Sequence, residues 1–167
     1  MWASELLFGR GALLRFRSAD WAVLGAELGR RAGGRRESGA FLLTPREAGR
    51  TVTRVVYFDD LDPTALNGGV QLRAGAFSRL WDLCDREGVR AAGDIHTHPG
   101  SLVGQSVIDR ANPLVARAGH VALIAPNLAA RPFGPADVGV HLYRGDAGWT
   151  SWTGREAATH IYVGRWA

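Results

Sequence analysis

The chain contains no lysine: all 20 of its basic residues are arginine. In a sequence this rich in alanine and glycine, the simplest account is the composition of a GC-rich genome. Cysteine is nearly absent too. A single thiol, Cys84, excludes an internal disulfide and suits a reducing compartment. Its apolar-patterned setting, "FSRLWDLCDREG", makes it a core residue rather than a nucleophile. Long hydrophobic runs are missing. The longest, "HVALIAPNLAA", is broken by Pro126 and Asn127 and falls well short of the roughly 20 apolar residues a membrane span needs. The first residues, "MWASELLFGRGALLRF", carry an early acid and an arginine inside the apolar part, unlike a basic leader followed by an uninterrupted apolar core. These absences give the expectation of a cytoplasmic protein that engages no membrane. No internal repeat, low-complexity tract or interdomain linker is visible.

What is present is a globular composition. With 46% hydrophobic and 22% charged residues the chain can bury a core, which argues against disorder. Its 167 residues suffice for one ordinary domain and not for two, so a single domain over 1–167 is expected. Net charge +4 would permit nucleic-acid binding, yet the arginines are scattered and no recognition helix or aromatic-interleaved basic motif stands out. A nucleic-acid partner is therefore not expected.

Six short stretches rich in Val, Leu, Ile and aromatics read as strands: 12–16, 39–44, 51–58, 91–98, 120–126 and 138–144. In "SADWAVLGAELGRRAGG", Trp21, Leu24 and Leu28 recur at helical spacing, with a cap at Ser18 and a stop at Gly33-Gly34. A second helix is expected in "AFSRLWDLCDREG", with Phe77, Leu80, Trp81 and Cys84 on one face and Gly88 past its end. A third, short one should begin near Ser106 and stop around Asn112-Pro113, because proline disfavours helical geometry in the residue before it. The fold class is thus α/β (α+β), a mixed sheet with helices packed against it. "DDLDPTALNGG" (59–69) reads as a long mobile loop, and the tail, with Trp149, Trp152 and Trp166, is expected to pack on the body.

One stretch stands apart. "GDIHTHPGSLVGQSVIDR" sets two histidines one residue apart and an aspartate 11 positions beyond the second. If His96 and His98 end a strand, its period of two puts both imidazoles on one face, near enough to hold one ion. Pro99 ends that strand, and a helix starting at Ser106 would carry Asp109 on the face that can return to the metal. His, His, Asp and one open position is the layout of a catalytic zinc. Hydrolysis at such a centre also needs a base, and Glu37, directly before the apolar strand in "RRESGAFLL", is the candidate. Ser106 could donate to the oxyanion formed on carbonyl attack; as a favoured N-cap residue it could also simply close the helix. His120, His141 and His160 have no partners at metal spacing and read as structural or exposed.

The ordered set resembles the JAMM, or MPN-plus, metalloprotease family. That family's pattern is a glutamate before a Gly-containing apolar strand, then His-Ser/Thr-His-Pro, then Ser-x-x-Asp; "ESGAFLL", "HTHP" and "SVID" match it in order, with six residues between Pro99 and Ser106. The resemblance implies a curved mixed sheet packed by two to three helices in a JAB1/MPN-like (cytidine-deaminase-like) architecture. It also implies a Zn2+-dependent peptidase or isopeptidase with Glu37 as base, His96, His98 and Asp109 as metal ligands, and Ser106 supporting the tetrahedral intermediate. The substrate it implies is a ubiquitin-like protein cleaved after its C-terminal glycine, in a bacterial, deubiquitinase-like setting functionally linked to activating and conjugating enzymes. Loss of every lysine would then also protect the enzyme from the modification it removes. Two alternatives share these residues: release of an amino acid such as cysteine from a sulfur-carrier protein, and a zinc-stabilised binder of such tails that does not cleave. By position, "VQLRAG" (70–75) is the candidate edge for the tail.

Overall fold

The computed structural model describes residues 11–47, 49–165 and 167. The leader reading, which rests on residues 1–10, and the packing of Trp166 lie outside the described residues.

Short stretches rich in apolar residues, continuous where both faces are buried as in β2 and β5, form β1 (Leu14–Arg17), β2 (Gly39–Pro45), β3 (Arg54–Tyr57), β4 (Val89–Thr97), β5 (Val121–Ala125), β6 (Gly139–Tyr143), β7 (Trp149–Trp152) and β8 (Ile161–Gly164). Six of these build one mixed sheet in the order β3-β2-β4-β5-β6-β7, in which only β4 and β5 run parallel; β1 and β8 pair separately, also parallel. The mixed α/β class expected from the sequence is what the chain adopts. Strands β7 and β8 were not expected as strands, and they are how the tail packs on the body.

Helix α1 (Ser18–Ala32) buries Trp21, Leu24, Leu28 and Ala32, one side of a regular amphipathic pattern. Its N-cap is Arg17, with no side-chain cap hydrogen bond, so Ser18 is the first helical residue and not the cap. Gly33 ends it in the left-handed conformation, as expected. A short turn of helix, α2 (Phe58–Leu61), then precedes a connection to α3 (Ala74–Glu87). That connection overlaps "DDLDPTALNGG", and it is not a free loop: Leu61, Ala65 and Leu66 are buried, and Asp62 accepts from the backbone of Thr64 and Arg73. Apolar residues between the turn formers pull it onto the body.

In α3 the buried stripe is Ala76, Leu80 and Cys84, as expected for Cys84, whereas Trp81 is 41% exposed. The stripe is a single i, i+4, i+8 row, too narrow to draw Trp81 under; it lies instead beside Phe77, ring centroids 6.4 Å apart. The sheet separates two apolar cores. One, behind the sheet, gathers Leu14 and Phe16 of β1, Leu24 and Leu28 of α1, and Ala40, Leu42 and Ile95. The other gathers Phe41 and Leu43 with Phe58, Leu66, Leu80 and Cys84. Burying each large apolar side chain is worth about 1.5–3 kcal/mol, so both faces of the sheet are held, and what stands at its open end is fixed by register.

Parallel strands need a long crossover. Between β4 and β5 it is residues 98–120, and it carries α4 (Val107–Ala111). The topology thus places the HTHP turn, Ser106 and Asp109 together at the carboxyl end of β4.

Candidate metal centre

His96 is the penultimate residue of β4 and His98 follows its end, so the pleat turns both rings to one face. Their Nε2 atoms lie 3.1 Å apart. Asp109 comes back from α4 with Oδ1 3.7 Å from His96 Nε2 and Oδ2 3.4 Å from His98 Nε2. A tetrahedral zinc with bonds of about 2.0–2.1 Å separates its donor atoms by roughly 3.3 Å. One carboxylate oxygen lies at about this spacing from His98 and the other slightly farther from His96, so two imidazole nitrogens and the Asp109 carboxylate have the chemistry for one such ion and lie near its spacing. Among the described residues they form the one group of three or more His, Cys, Asp or Glu side chains that could share a metal.

The second contacts of each side chain are as informative. His98 Nδ1 lies 3.2 Å from the Leu102 carbonyl oxygen, which can only accept, so Nδ1 carries the proton and Nε2 keeps its lone pair. Asp109 is fixed by a reciprocal cap: its Oδ2 accepts from Ser106 N–H at 2.8 Å, and its own N–H donates to Ser106 Oγ at 3.1 Å. Ser106 is thus the N-cap that the sequence allowed, and because its oxygen only accepts in that bond, its hydroxyl proton stays available. The imidazole of His96, then that of His98, holds the Asp109 carboxyl far below the ordinary carboxylate range. Asp109 in turn is the largest influence raising His98, with Glu37 a smaller one.

Glu37 is placed by sheet register. Antiparallel pairing sets Gly39 opposite His96, and one residue on, the Ser38 N–H donates to Thr97 Oγ1 while the Thr97 N–H donates to the Ser38 oxygen, both at 2.9 Å. Continued one step further, this register sets Glu37 opposite His98. It is half-buried and makes no hydrogen bond or ion pair among the described residues. Gly39 is needed here: a β-carbon would fall 2.2 Å from the Phe58 ring and 2.7 Å from the Ile95 oxygen.

Behind the cluster stand residues that the motif did not point to. His141, buried on β6, has Nε2 3.0 Å from the Val103 carbonyl and Nδ1 2.8 Å from Ser151 Oγ, so the crossover loop is pinned to the sheet by a neutral imidazole. Burial is the main cause holding His141 below its ordinary value. His120 Nε2 meets Asp94 Oδ2 at 2.7 Å, with both residues buried. His160 is half-buried and stacks on Trp152, centroids 3.8 Å apart. None of the three joins the metal cluster. Asp94 was legible: counting back two from His96 along the strand puts a carboxylate on the same face of a buried segment.

No protein-family model matches the chain. Two proteins with solution structures share its fold. One from Desulfitobacterium hafniense aligns with a TM-score of 0.60 and 18% identity over 90% of this chain and 92% of its own. One from Salinibacter ruber aligns at 0.55 and 16% over 83% and 88%. A JAB1/MPN domain protein from Archaeoglobus fulgidus aligns over 90% of this chain and 96% of its own, at 12% identity and a TM-score of 0.43, below the level at which a shared topology can be asserted. Among the described residues, no helix is long and apolar enough to cross a membrane.

Proposed function

We propose that the chain is a single-domain, zinc-dependent hydrolase of the JAMM type that cuts a peptide or isopeptide bond after the C-terminal glycine of a ubiquitin-like protein. The observation that carries this reading is the convergence of His96, His98 and the Asp109 carboxylate within reach of one ion, with half-buried Glu37 two residues before Gly39, the partner of His96. A bound zinc ion supplies a Lewis acid and a water acidified to about pKa 7.

The remaining work falls to side chains of this chain. Glu37, with no competing partner, takes the water's proton and returns it to the leaving nitrogen. The Ser106 hydroxyl donates to the oxygen of the attacked carbonyl as charge builds on it. Asp109 stays anionic throughout, since both imidazoles and the Ser106 N–H favour its charged form. Glycine before the cut suits a narrow approach to the cluster, because it brings no side chain and tolerates any backbone angle.

The test is cleavage of fusions whose ubiquitin-like moiety ends in glycine, by zinc-loaded enzyme. Release at that glycine, lost when it is replaced by valine, is expected. Equal cleavage of unfolded proteins without glycine preference would overturn the isopeptidase reading.

A further inference from the structure

A cavity of about 650 Å³ adjoins the cluster, with His96 and Asp109 on its near side and Asp94 and Gln105 also lining it. Val70, Leu72, Phe77, Leu114 and Trp149 give it an apolar wall, and Gln71 and Asn112 add polar groups. Two acceptor oxygens facing it have no protein donor. Asp94 is 3% exposed, and only its Oδ2 has a donor, the His120 imidazole. Gln105 Oε1 is buried without any partner. The Trp149 indole N–H is committed to the Arg110 oxygen and one Asn112 amide N–H to the Ile108 oxygen, while the amides of Gln71 and Gln105 also line the cavity. The cavity therefore presents an oxygen of a buried carboxyl group that no protein donor meets, beside an apolar wall. A ligand bringing N–H groups and positive charge would satisfy it.

We propose that this cavity is a specificity subsite for a lysine or arginine side chain of the substrate, recognised by Asp94. The proposal rests on the hydrolase reading above. A long aliphatic stem would lie along the apolar walls with its charged head on Asp94 and Gln105, the division of labour that lysine and arginine make. Reach agrees as well. Asp94 and His96 are two residues apart on one strand face, about 6–7 Å, so a substrate crossing the cluster must extend a long side chain to touch Asp94. An α-ammonium group or a short amine would leave the apolar walls uncovered. His120, buried behind Asp94 and bonded to it, holds the carboxylate toward the cavity and is a positioning residue.

The experiment uses the zinc-loaded full chain and glycine-containing peptides in which lysine or its uncharged isostere norleucine is placed at each of two positions either side of the bond cut. At one position lysine should lower KM at least ~10-fold relative to norleucine, with kcat little changed. Asp94→Asn should remove that preference, bringing KM for the lysine peptide up to that for the norleucine peptide. Leu72→Lys, which keeps Asp94 and His120 and sets an ammonium at the cavity wall, should remove it too, and it decides the matter if Asp94→Asn does not fold. No lysine preference at any position, or one unchanged in these variants, overturns the subsite. If no peptide is cut at all, the hydrolase reading falls, and binding of the same peptides decides the subsite alone: tighter binding of lysine than norleucine, lost in Asp94→Asn, upholds it, and equal binding overturns it.

Discussion

The carbonyl oxygen of Val103 occupies the space that a side chain on residue 139 would need: a β-carbon built on Gly139 lies 1.9 Å from it. The β4–β5 crossover is thereby seated directly on β6, where His141 also grips Val103. Gly139→Ala should push the loop off the sheet. Overpacking of this kind costs about 1–3 kcal/mol, so a lower melting temperature is expected. Because His98 leans on Leu102 of the same loop, zinc affinity should fall as well, by ~10–100-fold, the range for lost second contacts of metal ligands. Gly134→Ala, whose nearest neighbour would be 3.6 Å away, is the matched control and should change neither. Unaltered zinc affinity in a folded Gly139→Ala would show that the loop does not hold the cluster.

Metal analysis of the purified chain should find about one zinc per molecule, removed by chelators. His96→Ala and His98→Ala should each abolish it, since two donors cannot complete a tetrahedral site. Stoichiometric zinc in a variant lacking both histidines would rule out the site.

Glu37 is assigned to proton transfer and not to coordination, so binding and chemistry should separate there. Glu37→Gln is expected to retain zinc and to bind substrate with unchanged affinity, while kcat drops at least ~10²-fold, the usual loss for a missing acid–base group. Normal turnover would remove Glu37 from the mechanism.

His141 gives the fold a pH dependence of known sign. Burial holds its imidazole below the ordinary 6.5, so when the pH falls below that value the unfolded chain takes up a proton that the folded one resists. Its contribution to stability is complete above 6.5 and is lost as pH falls toward the lowered folded value. Melting temperatures measured between pH 7 and 5 should therefore decline. His141→Gln, which still presents a donor to Val103 but cannot titrate, should decline less; an identical slope would mean that other groups set it.

Sequence periodicity carried the site further than it carried the fold. His96, His98 and Asp109 converge because two short-range rules, the two-residue pleat and the serine-capped helix, act within one stretch of chain. Glu37 could be placed before its strand from sequence alone, but its position opposite His98 is a matter of register, which pairing with a distant strand decides. The same holds for His120 and Asp94, joined by the parallel β4–β5 pair, and for His141, which reaches Val103 across the sheet. Strands β7 and β8 escaped notice because "WTSW" and "IYVG" are four residues each, too short for a pattern, and owe their conformation to the partners that β6 and β1 provide.

Strand β1 pairs with β8, Leu14 beside Ile161 and Arg17 beside Gly164, and Arg15 also bridges Thr51. The bridge to Thr51 is available early in synthesis, whereas the pairing with β8 can form only after residues 161–164 have been made. Leu14 and Phe16 belong to the core that also holds Ile161 and Ile95, the residue before His96. Such late, long-range closure slows folding. Residues 161–164 thus close the water-facing side of the core on which the strand carrying His96 rests, far from the motif in sequence and directly behind it in space.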